Sequence, residues 1–154
     1  MSIITDIISG IGGPKVPLSE EGRAKFFRII HELIDNSTDI IGAMLTSGDG
    51  RPVVEILSPQ AKSDAKRFAA MSSALLALST SLAREAGSGE TSNVLIEGTK
   101  GNIYVLSAGD GMVLTVFTSL KPNLGLSLAH ARRAADNVTL TAAAAARAIA
   151  DGDA

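Results

Sequence analysis

The stretch QAKSDAKRFAAMSSALLALSTSLAREA, Gln60 to Ala86, decides how the rest of the chain is read. Phe68, Met71, Leu75, Leu78 and Leu82 recur at three- and four-residue steps. That spacing predicts a long helix whose large apolar stripe lies on the domain's own core. The opposite side should then be charged. Its middle instead reads Ala69, Ala70, Ser73, Ala77 and Thr80, with charge only towards the ends at Lys62, Lys66 and Arg84. Small neutral side chains let another backbone come close. The sequence therefore marks these five residues as a contact face for a second chain, against the plainer reading of good helix formers on a solvated surface.

Upstream of this helix, Ile40 to Thr46 is apolar on both alternating faces except at Gly42, the pattern of a central strand covered from both sides. Ser47-Gly48-Asp49-Gly50 supplies turn residues, and Pro52 to Leu57 returns as a second strand. Pro52 donates no ladder hydrogen bond and belongs at a strand start or an edge. Before the hairpin, Ser19 to Asn36 reads as a helix. Ser19 is its N-cap, Glu20 and Glu21 fill its first turn, and Phe26, Ile29, Ile30, Leu33 and Ile34 form its buried face.

Downstream, the Gly-rich break at Ala86 to Glu90 leads into three strands, Asn93 to Glu97, Asn102 to Ser107 and Met112 to Ser119. Tight turns at Gly98 to Gly101 and Ala108 to Gly111 make them an antiparallel meander. The first of the three should be an edge, and Val94, Leu95 and Ile96 give it no charged guard in the middle. A final helix carries Leu124, Leu128, Ala131, Ala135 and Val138. The expected organisation is an isoleucine-rich leader over 1–18, one α+β domain over 19–138 and an alanine-rich C-terminal extension over 139–154. Ile3, Ile4, Ile7, Ile8 and Ile11 fit either a short docking helix or a poorly ordered leader.

The order αββαβββα, the hairpin Gly42 to Val53, the small-residue helix from Ala65 and the phrase Leu120-Lys121-Pro122-Asn123-Leu124-Gly125 resemble the roadblock family of dynein light chains and bacterial GTPase regulators. The resemblance covers roughly Ser19 to Asn137, and its motifs are not chemical signatures. Longin, profilin-like and PAS-like domains share much of the architecture. The resemblance implies a five-stranded antiparallel sheet with the long central helix on one face and the terminal helices on the other. It also implies a homodimer in which the third strand and the long helix meet their copies, and a role in binding or regulating a small Ras-like GTPase. Lys62, Lys66, Arg67 and Arg84 are then the candidates to touch that GTPase. A scaffold joining a larger assembly and a PAS-like sensor of a small ligand are the competing readings.

Composition narrows the chemistry. The net charge of −2 shows no basic excess suited to nucleic acid, and aromatics at 3% leave few platforms for stacking bases, haem or flavin. The absence of cysteine excludes disulfides and thiolate chemistry. Met1 to Gly13 lacks the basic start of a secretion signal, and no apolar run reaches membrane-spanning length, so a cytoplasmic location is expected. Ser63-Asp64-Ala65-Lys66 matches the Ser-x-x-Lys nucleophile motif without its companion motifs. The glycine-rich segments lack the Gly-Lys-Ser/Thr of a phosphate loop, and His31 and His130 stand apart from metal-ligand partners. The sequence therefore predicts no enzyme, no cofactor and no metal.

Overall fold

A computed structural model describes residues 19–59, 64–91 and 93–152. The isoleucine-rich leader, Lys62 and Ser63 lie outside the described residues. Helix α1, Glu20–Asp35, opens where the Ser19 hydroxyl accepts the N–H of Gly22 at 3.0 Å, with Glu20 and Glu21 in the first turn. Phe26, Ile30 and Leu33 are buried on one side of it. Strands β1, Ile40–Thr46, and β2, Pro52–Ile56, form the first hairpin. Helix α2, Ala65–Glu85, precedes the meander β3, Asn93–Gly98, β4, Gly101–Ser107, and β5, Val113–Thr118. Helix α3, Leu124–Ala150, ends the domain.

The sheet order is β2-β1-β5-β4-β3, and every neighbouring pair is antiparallel. This is the α+β arrangement the sequence implies. β1 and β5 are inner strands covered on both faces, whereas β2 and β3 are the two edges. Pro52 sits at the first position of the β2 edge, where a missing N–H does least harm to the ladder. Gly101 closes the β3–β4 turn at φ 150°, where a Cβ would run into the Thr118 carbonyl.

Helices α1 and α3 cover one sheet face. Their main core joins Phe26, Ile30 and Leu33 to Leu45, Tyr104, Leu106, Leu114 and Val116 on the strands and to Ala131, Ala135 and Val138 on α3. Tyr104 is fully buried, and its hydroxyl bonds Ser127 at 2.7 Å. At the corner before α3, Lys121 adopts φ 54°. Asn123 then donates its N–H to Asp39 at 2.9 Å, and its side chain accepts from Leu126 at 3.1 Å as the helix N-cap. The last fully buried residue of α3 is Val138. The helix does not stop where the alanine-rich segment begins but runs unbroken to Ala150.

Helix α2 covers the other face. Its end is set by Gly87 at φ 69°, with Gly87 N–H donating to Arg84 C=O at 3.0 Å and Ser88 N–H to Ala83 C=O at 2.8 Å. These paired bonds close the helix in a left-handed cap that glycine adopts without strain. Thr91 then donates its hydroxyl to Ser79 C=O at 3.1 Å, holding the return loop against the helix before β3 begins.

Candidate partner-binding surface

Helix α2 is turned from the orientation expected from its apolar stripe, of which only Phe68 and Leu75 pack partly against the sheet. Ala65, Ala69, Ser72, Ser73 and Leu76 are the buried residues, so the small side chains lie on the sheet. Met71, Leu78 and Leu82 point outward and are 60%, 58% and 69% exposed. Two of the five small residues expected to form the contact face, Ala69 and Ser73, are thus sealed inside the domain. Ala70, Ala77 and Thr80 are half-buried on the flank.

The reason lies in the strands beneath. On this face they present Met44, Ile103, Val105, Val113 and Phe117, bulky side chains that stand up towards the helix. Met44 packs against Ala65 and Ala69, Val113 and Val105 pack against Leu76, and the Phe117 ring lies 6.0 Å from that of Phe68. A bulky sheet face accepts a small helix face, because close packing pairs large side chains with small ones. The strand sequences held the missing signal: a helix stripe cannot be oriented without asking how much room the strands leave.

The stripe's middle meets the β3 side of the sheet. Leu75 is partly buried in one cluster with Val94 of β3 and Ile103 of β4. Among the described residues, β3 pairs only with β4 and its other backbone edge has no strand beside it. Leu95 and Ile96 on that strand are exposed, at 36% and 38%. Ile96, opposite Ile103, lies on the α2 side of that strand, whereas Leu95, opposite Tyr104, lies on the α1 and α3 side. Exposed apolar side chains scattered singly are ordinary, whereas three along one helix face form a patch.

The cationic candidates separate by direction. Lys66, Arg67 and Arg84 are all exposed, and Lys62 is outside the described residues. Lys66 and Arg84 are about five full turns apart and so share one flank of the helix. Arg67 is aligned instead with Met71 and Leu78, and Glu85 closes the same line at the other end.

Elsewhere the titratable groups do not converge. His31 meets Asp35 at 3.0 Å on the exposed side of α1 and contacts the Phe27 ring. His130 lines a groove of about 350 Å³ between α1 and α3, together with Glu32, Asn36, Arg133 and Asn137. Among the described residues, no group of three His, Asp or Glu side chains comes together as a metal site. Among them too, no helix is long and apolar enough to cross a membrane.

Fold and surface together define a layered domain whose distinguishing feature is an unpartnered edge. Residues 27–118 match the model of the Roadblock/LC7 domain. An uncharacterized protein of Methanocaldococcus jannaschii, MJ0310, is 36% identical over 112 residues, spanning 72% of this chain and 94% of that protein. The chain belongs to the Roadblock/LC7 family. Among solved structures, the Roadblock/LC7 domain from Streptomyces avermitilis superposes with a TM-score of 0.65 at 23% identity, covering 73% of this chain and 92% of that one. A structure described as MglB with tetrameric arrangement superposes at 0.75 with 19% identity, covering 86% and 98%. At these identities the likeness speaks for the fold.

Proposed function

We propose that this chain is a non-enzymatic regulatory module that works as a homodimer and binds a small Ras-like GTPase. Family membership supports a regulatory role in general, and the GTPase reading rests on what the roadblock resemblance implies. The observation that carries the dimer is α2's exposed outward stripe, whose Leu75 shares a cluster with Val94 on the edge strand β3.

That stripe is self-complementary. A two-fold axis beside β3 would extend the sheet through Val94, Leu95 and Ile96 and lay two copies of α2 antiparallel. In the register that brings Arg67 close to the partner's Glu85, Met71 lies within about one residue of the partner's Leu82 and Leu78 of the partner's Leu75. Opposite charges close the two ends and apolar side chains fill the middle. Lys66 and Arg84, on the flank, stay accessible as a basic rim for an acidic GTPase surface; the sequence offers Lys62 as a further candidate. Such a dimer would act by favouring one arrangement of the GTPase's mobile loops. Of the two arginines the sequence offers for the nucleotide in GTPase activation, Arg67 is engaged in the seam and Arg84 is the one left accessible. A cytoplasmic setting fits this reading.

Charge exchange tests the pairing. Arg67→Glu should shift the protein towards monomer in light scattering, and Arg67→Glu with Glu85→Arg should restore the dimer. Wild type that is monomeric at micromolar concentration defeats the proposal. Titrating GDP- and GTP-loaded candidate GTPases against wild type and a Lys62/Lys66/Arg84 triple alanine variant then tests the rim. Salt should weaken the wild-type complex, because rim charges act chiefly on encounter and are screened. Binding of no GTPase in either nucleotide state would favour the scaffold reading.

A further inference from the structure

Three side-chain hydroxyls among the described residues are buried without a hydrogen-bond partner: those of Thr46, Ser73 and Thr115. Their residues are 0%, 1% and 2% exposed. They are not scattered. In the β1–β5 ladder Thr46 stands opposite Val113 and Thr115 stands opposite Met44, so the two threonines occupy adjoining rungs of one sheet face. It is the face under α2, because Met44 packs on Ala69 and Val113 packs on Leu76. Ser73 lies between Ala69 and Leu76 on the buried side of that helix, above the same two rungs.

The opposite face treats buried hydroxyls differently. Thr118 accepts the N–H of Asn102 at 2.9 Å, and Ser127 bonds both the Tyr104 hydroxyl and the Asn123 carbonyl at 2.7 Å. Unpartnered hydroxyls are therefore a property of the seam between α2 and the sheet. Leaving a hydroxyl buried and unpaired costs about 1–3 kcal/mol, and native proteins ordinarily relieve that cost with an enclosed water making two to four bonds.

We propose that Thr46, Ser73 and Thr115 hold ordered water between α2 and the sheet, and that this wet seam makes α2 the most readily loosened element of the domain. A seam centred on hydroxyls that bond water adheres less tightly than the opposite face, where the buried hydroxyls of Tyr104, Thr118 and Ser127 bond protein groups directly. A helix held in this way can adjust its height and tilt on the sheet without unfolding the domain. The inference does not depend on what covers the outward stripe.

The test removes the hydroxyls while keeping volume nearly constant, in a Thr46→Val/Ser73→Ala/Thr115→Val variant. Amide exchange over Ala65–Glu85 should slow roughly tenfold, exchange in α1 and α3 should stay unchanged, and the unfolding midpoint should hold or rise. Measuring wild type and variant also in a Leu78→Arg background separates seam effects from changes in association. Should the triple variant fail to fold, Thr46→Val and Thr115→Val singly carry the same readings. A high-resolution crystal structure of the wild type should show water within hydrogen-bond distance of at least two of the three hydroxyls. Faster or unchanged exchange in α2, or hydroxyls bonded directly to one another with no water between them, would overturn the proposal.

Discussion

The two faces of the sheet use their helices differently. Under α1 and α3 the large side chains come from α1 and the strands, with Ile30, Leu45, Tyr104, Leu106 and Leu114 all at 2% exposure or less, and α3 meets them with Ser127, Ala131, Ala134, Ala135 and Val138. Under α2 the strands supply the bulk and the helix supplies alanine, serine and Leu76, while Met71, Leu78 and Leu82 face away. One face holds the domain together. The other leaves Met71, Leu78 and Leu82 uncovered within the single chain, so in the proposed dimer stability and association fall to different residues.

That difference can be broken or sharpened by measurement. The largest effect is expected for Leu114→Ala on the α1 and α3 side, about 3–4 kcal/mol of unfolding free energy by denaturant titration. Leu76→Ala on the α2 side should cost less, about 2 kcal/mol, because a small-residue helix on a loosely held seam can settle into the space. Equal losses at Leu114 and Leu76 would erase the contrast between the faces. Tyr104→Phe removes a buried hydroxyl from its bond to Ser127 and should cost about 1–2 kcal/mol by the same titration. Smallest in stability is Leu78→Arg, within about 0.5 kcal/mol for the isolated chain. Yet this change should abolish self-association in sedimentation or light scattering, since it places charge in the middle of the outward stripe.

Much of the fold was legible. Ser19, the Gly-rich turns and the alternation of Ile40 to Thr46 each report local backbone preferences, and those preferences agree with the sheet that forms. The open edge at β3 was legible for the same reason, because a strand lacking both protection and a second neighbour shows in its own residues. The direction of α2 was not. A helical stripe fixes which residues share a side, but the choice of side is made by what lies underneath. Here Met44, Val105 and Val113, distant in sequence, make that choice. The continuous α3 was also hidden, because an alanine run beyond Val138 has high helix propensity but few large side chains to mark a buried face.

Because α2 turns its small side inward, Met71, Leu78 and Leu82, the residues that would decide its company in the proposed dimer, are little buried in its fold. Met71, Leu78 and Leu82 are free to drift after a gene duplication without endangering the domain that bears them. Two descendants of one ancestor can diverge along this stripe, each losing affinity for itself while keeping it for the other. The roadblock frame is thereby suited to founding lineages of paired, non-identical subunits, with heredity acting on one helix face while the other keeps the shape.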